Sequence, residues 1–389
     1  MPHIKSKPFN REILSHHQEF NDFITFRATD EHEELWGICY EGVEFLLHLK
    51  IDSDGNYLLK YDKVTRPLKV DLLKKSIAAL ADILKLEILS ANIVSYKTQA
   101  PLASMYQKSI KDFENIEFEN QKVSLEVGFG SGKHILYQAT QNPDKLYIGI
   151  EIHTPSAQQL LKQIGLQNLT NIWVVNYDAR LLLEMFASNS LEEIYVHFPV
   201  PWDKKPHRRV IGPNFLTQSM RTLKIGGTLE LRTDSDNYFW YALQTFFAYP
   251  KIEVKVHKNR DLEVVSKYEA RWRRQAKDIY DVWVVSHENS PQDRRDFKFD
   301  FDTIGYNNGL KNTLPSESQM FEEYFIHFER IYSVVGGGWL VRVAMGSFDR
   351  PEHKFILMTP KEIRYMPSPP VATLTNYRVH QKLQEFLNE

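Results

Sequence analysis

Only one cysteine, Cys39, occurs in the 389 residues. An internal disulfide is therefore excluded, no thiolate set is available for a metal, and no metal centre is expected. The opening residues MPHIKSKPFNREIL contain no apolar run followed by small residues, so no secretory signal is expected. Nowhere does the chain approach the roughly 18 uncharged apolar residues that a membrane-spanning helix needs. Basic charge is not in excess either. With 48 Lys and Arg against 50 Asp and Glu, the formal net charge is -2, which excludes a globally basic nucleic-acid binder but leaves room for local basic patches. Internal repeats and low-complexity tracts are absent. What is present, 42% hydrophobic and 25% charged residues, is the composition of an ordinary globular protein, expected in the cytoplasm and long enough for two or three domains of about 100–200 residues each.

Residues 1–115 read as an α+β segment. Phe23–Arg27, Glu34–Cys39, Val43–Ile51 and Tyr57–Tyr61 are rich in aromatic and β-branched residues, with a hairpin signal at Asp54-Gly55. A helix is predicted over Asp71–Leu86 from the spacing of Leu72, Leu73, Ile77, Leu80 and Leu84. From Val123 the pattern becomes a regular alternation. Strands are predicted at Val123–Val127, Leu146–Ile150, Ile172–Asn176, Glu193–His197, Thr228–Arg232, Ile252–Val256 and Asp281–Ser286, with helices between the first six. Such alternation argues for a mostly parallel sheet covered by helices on both faces. No strong helix separates the last two strands, so one of them is a candidate to run antiparallel. Residues 116–288 are assigned to this domain and 289–317 to a linker. Residues 318–389 form a second strand-rich segment around Gly336-Gly337-Gly338, closed by a helix over Asn376–Leu387. Neither flanking segment shows a zinc pattern, an RNP-like motif or a glycine-rich phosphate loop. Their packing on each other is left open.

The strongest local signal is Leu125-Glu126-Val127-Gly128-Phe129-Gly130-Ser131-Gly132, which joins the first strand to the first helix. Glycines let the backbone turn sharply and approach a ligand, and ligands of such sheets lie beyond the carboxyl ends of the strands. A dinucleotide fingerprint requires a third glycine where Lys133 stands. The pattern is instead an acid, Glu126, two places before Gly128, followed by Gly130 and Gly132. A carboxylate there suits the ammonium of S-adenosylmethionine and repels a pyrophosphate. Glu151, after the second strand, is placed to accept the ribose hydroxyls, and Asp178, after the third, to accept from the adenine amino group. These residues point to a class I S-adenosylmethionine-dependent methyltransferase with a Rossmann-like, seven-stranded sheet.

After the fourth strand comes His197-Phe198-Pro199-Val200-Pro201-Trp202-Asp203-Lys204-Lys205. Two prolines, two residues apart, stiffen this loop and suit it to hold a flat base beside a methyl donor. At this point the chain resembles the bacterial tRNA (guanine-N7-)-methyltransferases of the TrmB type. Gly149-Ile150-Glu151-Ile152-His153 looks like that family's G-[IV]-E-[IV]-H. Phe198–Lys204 resembles F-P-D-P-W-x-K, with Arg208-Arg209 as the following basic pair. Thr233-Asp234 matches a T-D pair, Ser266-Lys267-Tyr268-Glu269-Ala270-Arg271 resembles T-K-F-E-x-R, and Tyr280-Asp281 resembles the W-D opening the last strand. The resemblance runs from about Leu125 to Trp283.

What the resemblance implies is specific. Glu126, Glu151 and Asp178 would contact S-adenosylmethionine. Lys204, Asp234 and Ser266–Glu269 would meet the target guanine or its nucleotide, at position 46 in the tRNA variable loop. Two departures stand out: Val200 replaces the aspartate between the prolines, and Trp272 and Ala276 replace glycines. Guanine N7 carries an in-plane lone pair and no proton, so no general base is needed before attack. Asp234 and Glu269 are then the candidates to stabilise charge developing on the guanine, with Asp203 in partial compensation for Val200. Two basic clusters flank these motifs, Lys204, Lys205, Arg208 and Arg209, and Lys267, Arg271, Arg273, Arg274 and Lys277 with Tyr268 and Trp272 between. They suit phosphates and unpaired bases of tRNA. The alternatives are a methyltransferase of the same fold acting on another RNA base and an inactive RNA-binding relative. Oligomeric state is not legible.

Overall fold

The computed structural model describes residues 2–9, 22–31, 33–67, 69–93, 104–114, 116–260, 277–292, 296–302, 305, 309–310 and 313–388. The chain forms two compact units. One comprises residues 1–98, 297–370 and 374–389, the other residues 99–296 with 371–373. Among the described residues no helix is long and apolar enough to cross a membrane.

The first unit begins with β1 (His3–Ser6), β2 (Ile24–Thr29), β3 (Glu33–Tyr40), β4 (Val43–Ile51), β5 (Tyr57–Tyr61), α1 (Val70–Ile83) and β6 (Ile88–Ala91). The Asp54-Gly55 signal marks the turn between β4 and β5, where Asp52 N–H donates to Asn56 O at 2.8 Å. Leu72, Leu73, Ile77 and Leu80 of α1 are buried against Trp36, Phe45, Leu47 and Leu59 of the sheet, each such side chain contributing about 1.5–3 kcal/mol relative to exposure.

In the second unit follow β7 (Gln107–Lys108), β8 (Lys122–Val127), α2 (Lys133–Gln141), β9 (Lys145–Ile150), α3 (Thr154–Gln167), β10 (Ile172–Val175) and α4 (Ala179–Met185). The series continues with β11 (Leu191–His197), α5 (Pro213–Thr222), β12 (Leu223–Thr233), α6 (Asp236–Phe247), β13 (Glu253–Lys258) and β14 (Tyr280–Val285). Strand order is β13-β14-β12-β11-β8-β9-β10-β7. All seven expected strands are present, and β14 is the antiparallel one, lying between β12 and β13. The eighth, β7, is a two-residue strand beside β10, too short to leave a periodic signal. Helix boundaries follow local chemistry: Pro213 opens α5, and Ser235 caps α6 by accepting from Tyr238 N–H at 3.2 Å. Val123, Leu125, Ile194, Val196, Leu229 and Leu231 pack on α4, α5 and α6. On the other face, α2 and α3 cover β9 and β10 through Ile135, Leu160, Leu161, Tyr147 and Val174. Ser290, in the stretch expected as linker, exchanges hydrogen bonds with Asn189 at 2.7 and 2.9 Å.

The chain then returns to the first unit with β15 (Gln319–Met320), β16 (Tyr324–Val334), β17 (Trp339–Ser347), β18 (Glu352–Met358), β19 (Ile363–Met366) and α7 (Leu374–Asn388). These strands and the N-terminal ones make a single sheet, β19-β18-β17-β16-β2-β3-β4-β5-β1-β6, with β15 beside β16. The junction is short: Ser333 pairs Thr29 and Val334 pairs Ala28. Helix α7 buries Val379, Leu383 and Leu387 against Ile326, Val341 and Val343.

Candidate active site

The strand order changes direction between β8 and β11, and the carboxyl ends of β8, β9, β11 and β12 share one edge because these strands are parallel. Ligands of open α/β sheets bind at that switch point. Here β8 runs into a turn in which Gly128, Gly130 and Gly132 have φ of 69°, 52° and 73°. Gly132 is the residue preceding α2; a Cβ on it would lie 2.8 Å from Leu160 Cδ1 and force that side chain to shift, and its positive φ would strain any larger residue. Gly128 N–H donates to Ile150 O at 2.8 Å, tying the turn to β9. A Cβ on Gly128 would meet nothing within 4 Å, which leaves its backbone open to a ligand.

The three expected acids differ in state. Glu151 accepts from the backbone N–H of Gly130 at 3.1 Å and of His153 at 2.9 Å. Its carboxylate is thus oriented by the glycine turn and keeps lone pairs for a diol. Glu126, only 4% exposed, accepts from His134 Nδ1 at 2.9 Å through Oε2. Among the described residues, Oε1 of Glu126 has no hydrogen-bond partner. Asp178 caps α4 and is gripped by Arg180 through its backbone N–H, Nε and a terminal nitrogen at 2.9, 3.0 and 2.6 Å. It has the least free acceptor capacity of the three.

Behind Glu126 lies a cluster that sequence reasoning did not single out. Cα register places Glu126 beside Tyr195, Tyr195 beside Glu230 and His197 beside Arg232, so these side chains share one face of the sheet. His134 from α2 meets the rings of Tyr195 and His197 edge-on at 4.8 and 4.5 Å. One potential ligand atom each from Glu126, His134 and His197 lies within 4.8 Å of the others, although Glu126 and His134 are already hydrogen-bonded. Burial works against charging His134, but the Glu126 carboxylate outweighs it and holds its pKa above the ordinary value. Burial pushes His197 down and Tyr195 up. Burial also works to raise Glu230, yet His197 and the charge of Arg232 leave it below the usual carboxylate value. The signal for this cluster was in the sequence as polar residues at every second position of three central strands.

The loop after β11 is held from below. Phe198 and Trp202 adopt φ of 50° and 47°, and Phe198 N–H donates to Arg232 O at 2.7 Å. Arg209, expected at phosphates, is buried instead: Nε donates to Pro201 O at 2.7 Å, and the guanidinium lies 4.4 Å from the Tyr241 ring centre. Asp203, with its side chain 53% exposed, lies 3.4 Å from Arg209. Val200 is 60% exposed. Lys204 and Arg208 are exposed, with Arg208 over the Trp202 ring at 5.2 Å. Asp234, just past β12, pairs with Lys277 at 3.1 Å. Beneath them Arg232 and Asp281 form a buried ion pair at 2.5 Å. Ser266, Lys267, Glu269 and Arg271 lie outside the described residues.

An open sheet of this order, with an acid-flanked glycine turn at its switch point, defines a class I S-adenosylmethionine-dependent methyltransferase. A family model described as a putative methyltransferase matches residues 120–282. The chain is 36% identical to the tRNA (guanine-N(7)-)-methyltransferase of Wolinella succinogenes over 100% of both chains. It is 40% identical to that of Helicobacter pylori strain 26695 over 89% of this chain and 87% of the relative. The chain belongs to the tRNA (guanine-N(7)-)-methyltransferase family.

Proposed function

We propose that this chain transfers the methyl group of S-adenosylmethionine to N7 of guanine 46 in tRNA. The observation that supports this reading best is the gathering at one sheet edge of the glycine turn, Glu126, Glu151, the Phe198–Lys205 loop and Asp234. When bound, S-adenosylmethionine supplies an electrophilic methyl group on a sulfonium. Glu126 would receive its ammonium and Glu151 its ribose hydroxyls, while Asp178 keeps only its remaining lone pairs for the adenine edge.

Guanine N7 needs alignment rather than a base, and alignment is what a loop braced by Arg209 and two prolines provides. As the guanine gains positive charge, a carboxylate near its N1 and N2 protons lowers the barrier. Asp234, just past the end of β12 and paired with Lys277, is the described acid assigned that task, with exposed Asp203 beside Arg209 in partial compensation for Val200; Glu269 is assigned the same task from the sequence. Exposed Lys204 and Arg208 would meet tRNA phosphates.

The test is transfer of labelled methyl to unmodified tRNA followed by nucleoside analysis. 7-Methylguanosine is the expected product. A different modified nucleoside would assign another acceptor, and retained tRNA binding without product would make Val200 the mark of an inactive relative. Asp234→Ala is expected to lower turnover by about 100-fold or more with S-adenosylmethionine binding intact. Wild-type turnover in that variant removes Asp234 from the mechanism.

A further inference from the structure

Glu126 lies almost wholly out of solvent and, among the described residues, makes one hydrogen bond, to His134. An ionised carboxylate in that position requires hydrogen bonds or an opposite charge to remain ionised. His134 is in turn contacted at its other nitrogen by Gln138 Nε2 at 3.3 Å, one turn along α2. With Nδ1 donating to Glu126, Nε2 is an acceptor for the Gln138 amide, so the neutral imidazole satisfies both contacts. We infer that His134 is a positioning residue for the methyl donor: it fixes the Glu126 carboxylate through Oε2 and leaves Oε1 aimed at the methionine ammonium. The inference rests on the reading that Glu126 meets that ammonium.

The arrangement has a second consequence. A protonated His134 would stand beside the carboxylate that receives a cation, competing with it electrostatically. It would also turn Nε2 into a donor and force the Gln138 amide to present its oxygen. Donor binding should therefore release a proton from His134 and weaken as pH falls. The groups facing His134 are Glu126 from β8, Tyr195 and His197 from β11 and Glu230 and Arg232 from β12. His197 is held neutral by burial, which leaves His134 as the imidazole of the pair that titrates upon binding.

Equilibrium binding of S-adenosylmethionine and S-adenosylhomocysteine to the full chain tests this without reference to turnover. Methylthioadenosine, which lacks the amino-acid part, serves as the control ligand. His134→Phe, which cannot donate, should weaken both amino-acid ligands by about tenfold or more and leave methylthioadenosine unchanged. His134→Gln, whose amide can donate but does not titrate, should recover most of the affinity. It should also lose the fall in affinity expected of the wild type as pH falls.

Equal weakening of methylthioadenosine would overturn the inference by showing general damage to the site. So would wild-type affinity in His134→Phe, or an unchanged pH dependence in His134→Gln. Zinc-dependent strengthening of binding in the wild type, lost in His134→Gln, would overturn it too by making the pair a metal site. Glu126→Gln separates the two levels. If it binds donor as the wild type does, the reading of Glu126 fails. If it loses affinity while His134→Phe does not, only the role of His134 fails.

Discussion

Two faces of the same central strands are built on opposite principles. Val123, Leu125, Ile194, Val196, Leu229 and Leu231 point one way into a hydrocarbon layer under α4, α5 and α6. The residues between them, Ser124, Glu126, Glu193, Tyr195, His197, Glu230 and Arg232, point the other way. They are joined by hydrogen bonds and ion pairs such as Ser124 to Glu193 at 2.9 Å and Tyr195 to Glu193 at 2.7 Å. The first face stabilises in proportion to area and is indifferent to direction. The second stabilises only while each group keeps its partner, because an orphaned buried charge costs more than its pair contributes. The carboxylate expected to receive the donor lies on the second face, where its rotamer and charge can be specified.

The contrast predicts unequal responses to truncation. Arg232→Ala should have the largest effect, about 3–5 kcal/mol in urea unfolding, because it strands Asp281, whose carboxyl burial already pushes upward. Replacing both partners with apolar residues, Arg232→Met with Asp281→Leu, should recover much of that loss; a double variant no better than the single one would break the contrast. Leu229→Ala comes next, at about 2–5 kcal/mol, with donor affinity of the folded protein unchanged. Lost donor affinity in that variant would mean the two faces are not independent.

The smallest effect is on pH dependence. His197 has its pKa lowered by burial from 6.5. The unfolded chain therefore binds its proton first, and the contribution of neutral His197 is full above 6.5 and lost as pH falls through the folded value. His134, shifted the other way, contributes fully below 6.5 and loses its contribution as pH rises through its own folded value. His197→Phe should accordingly flatten the decline in stability below pH 6.5. An unchanged slope would show that His197 is not buried neutral.

Much of this was readable from residues alone. The seven strands of the methyltransferase sheet, the glycine turn and the placement of Glu151 follow from period and spacing, which are local. The apolar face was legible for the same reason. The polar face was visible as every second residue yet carried no sign of who partners whom, since register between β8, β11 and β12 is set by long-range pairing. Arg209 looked like a phosphate ligand because basic residues beside a loop usually are. Its burial beneath Pro201 depends on Tyr238 and Tyr241 arriving from α6. Asp178 looked available because its neighbour Arg180 folds back on it only once α4 forms. The positive φ of Phe198 and Trp202 has no sequence signature, as both are residues that rarely adopt it. Ser266, Lys267, Glu269 and Arg271, named from the sequence, lie outside the described residues.

The β2–β16 junction bears on how this chain is made. During synthesis, residues 99–296 emerge as a nearly complete unit and can fold as they appear. The N-terminal strands, though made first, must wait until Ser333 and Val334 leave the ribosome before β2, already paired with β3, gains its second partner. Until then β2 is an unsealed edge on a nascent chain, a template for pairing with the wrong strand. The part of the protein translated earliest is among the last to be finished.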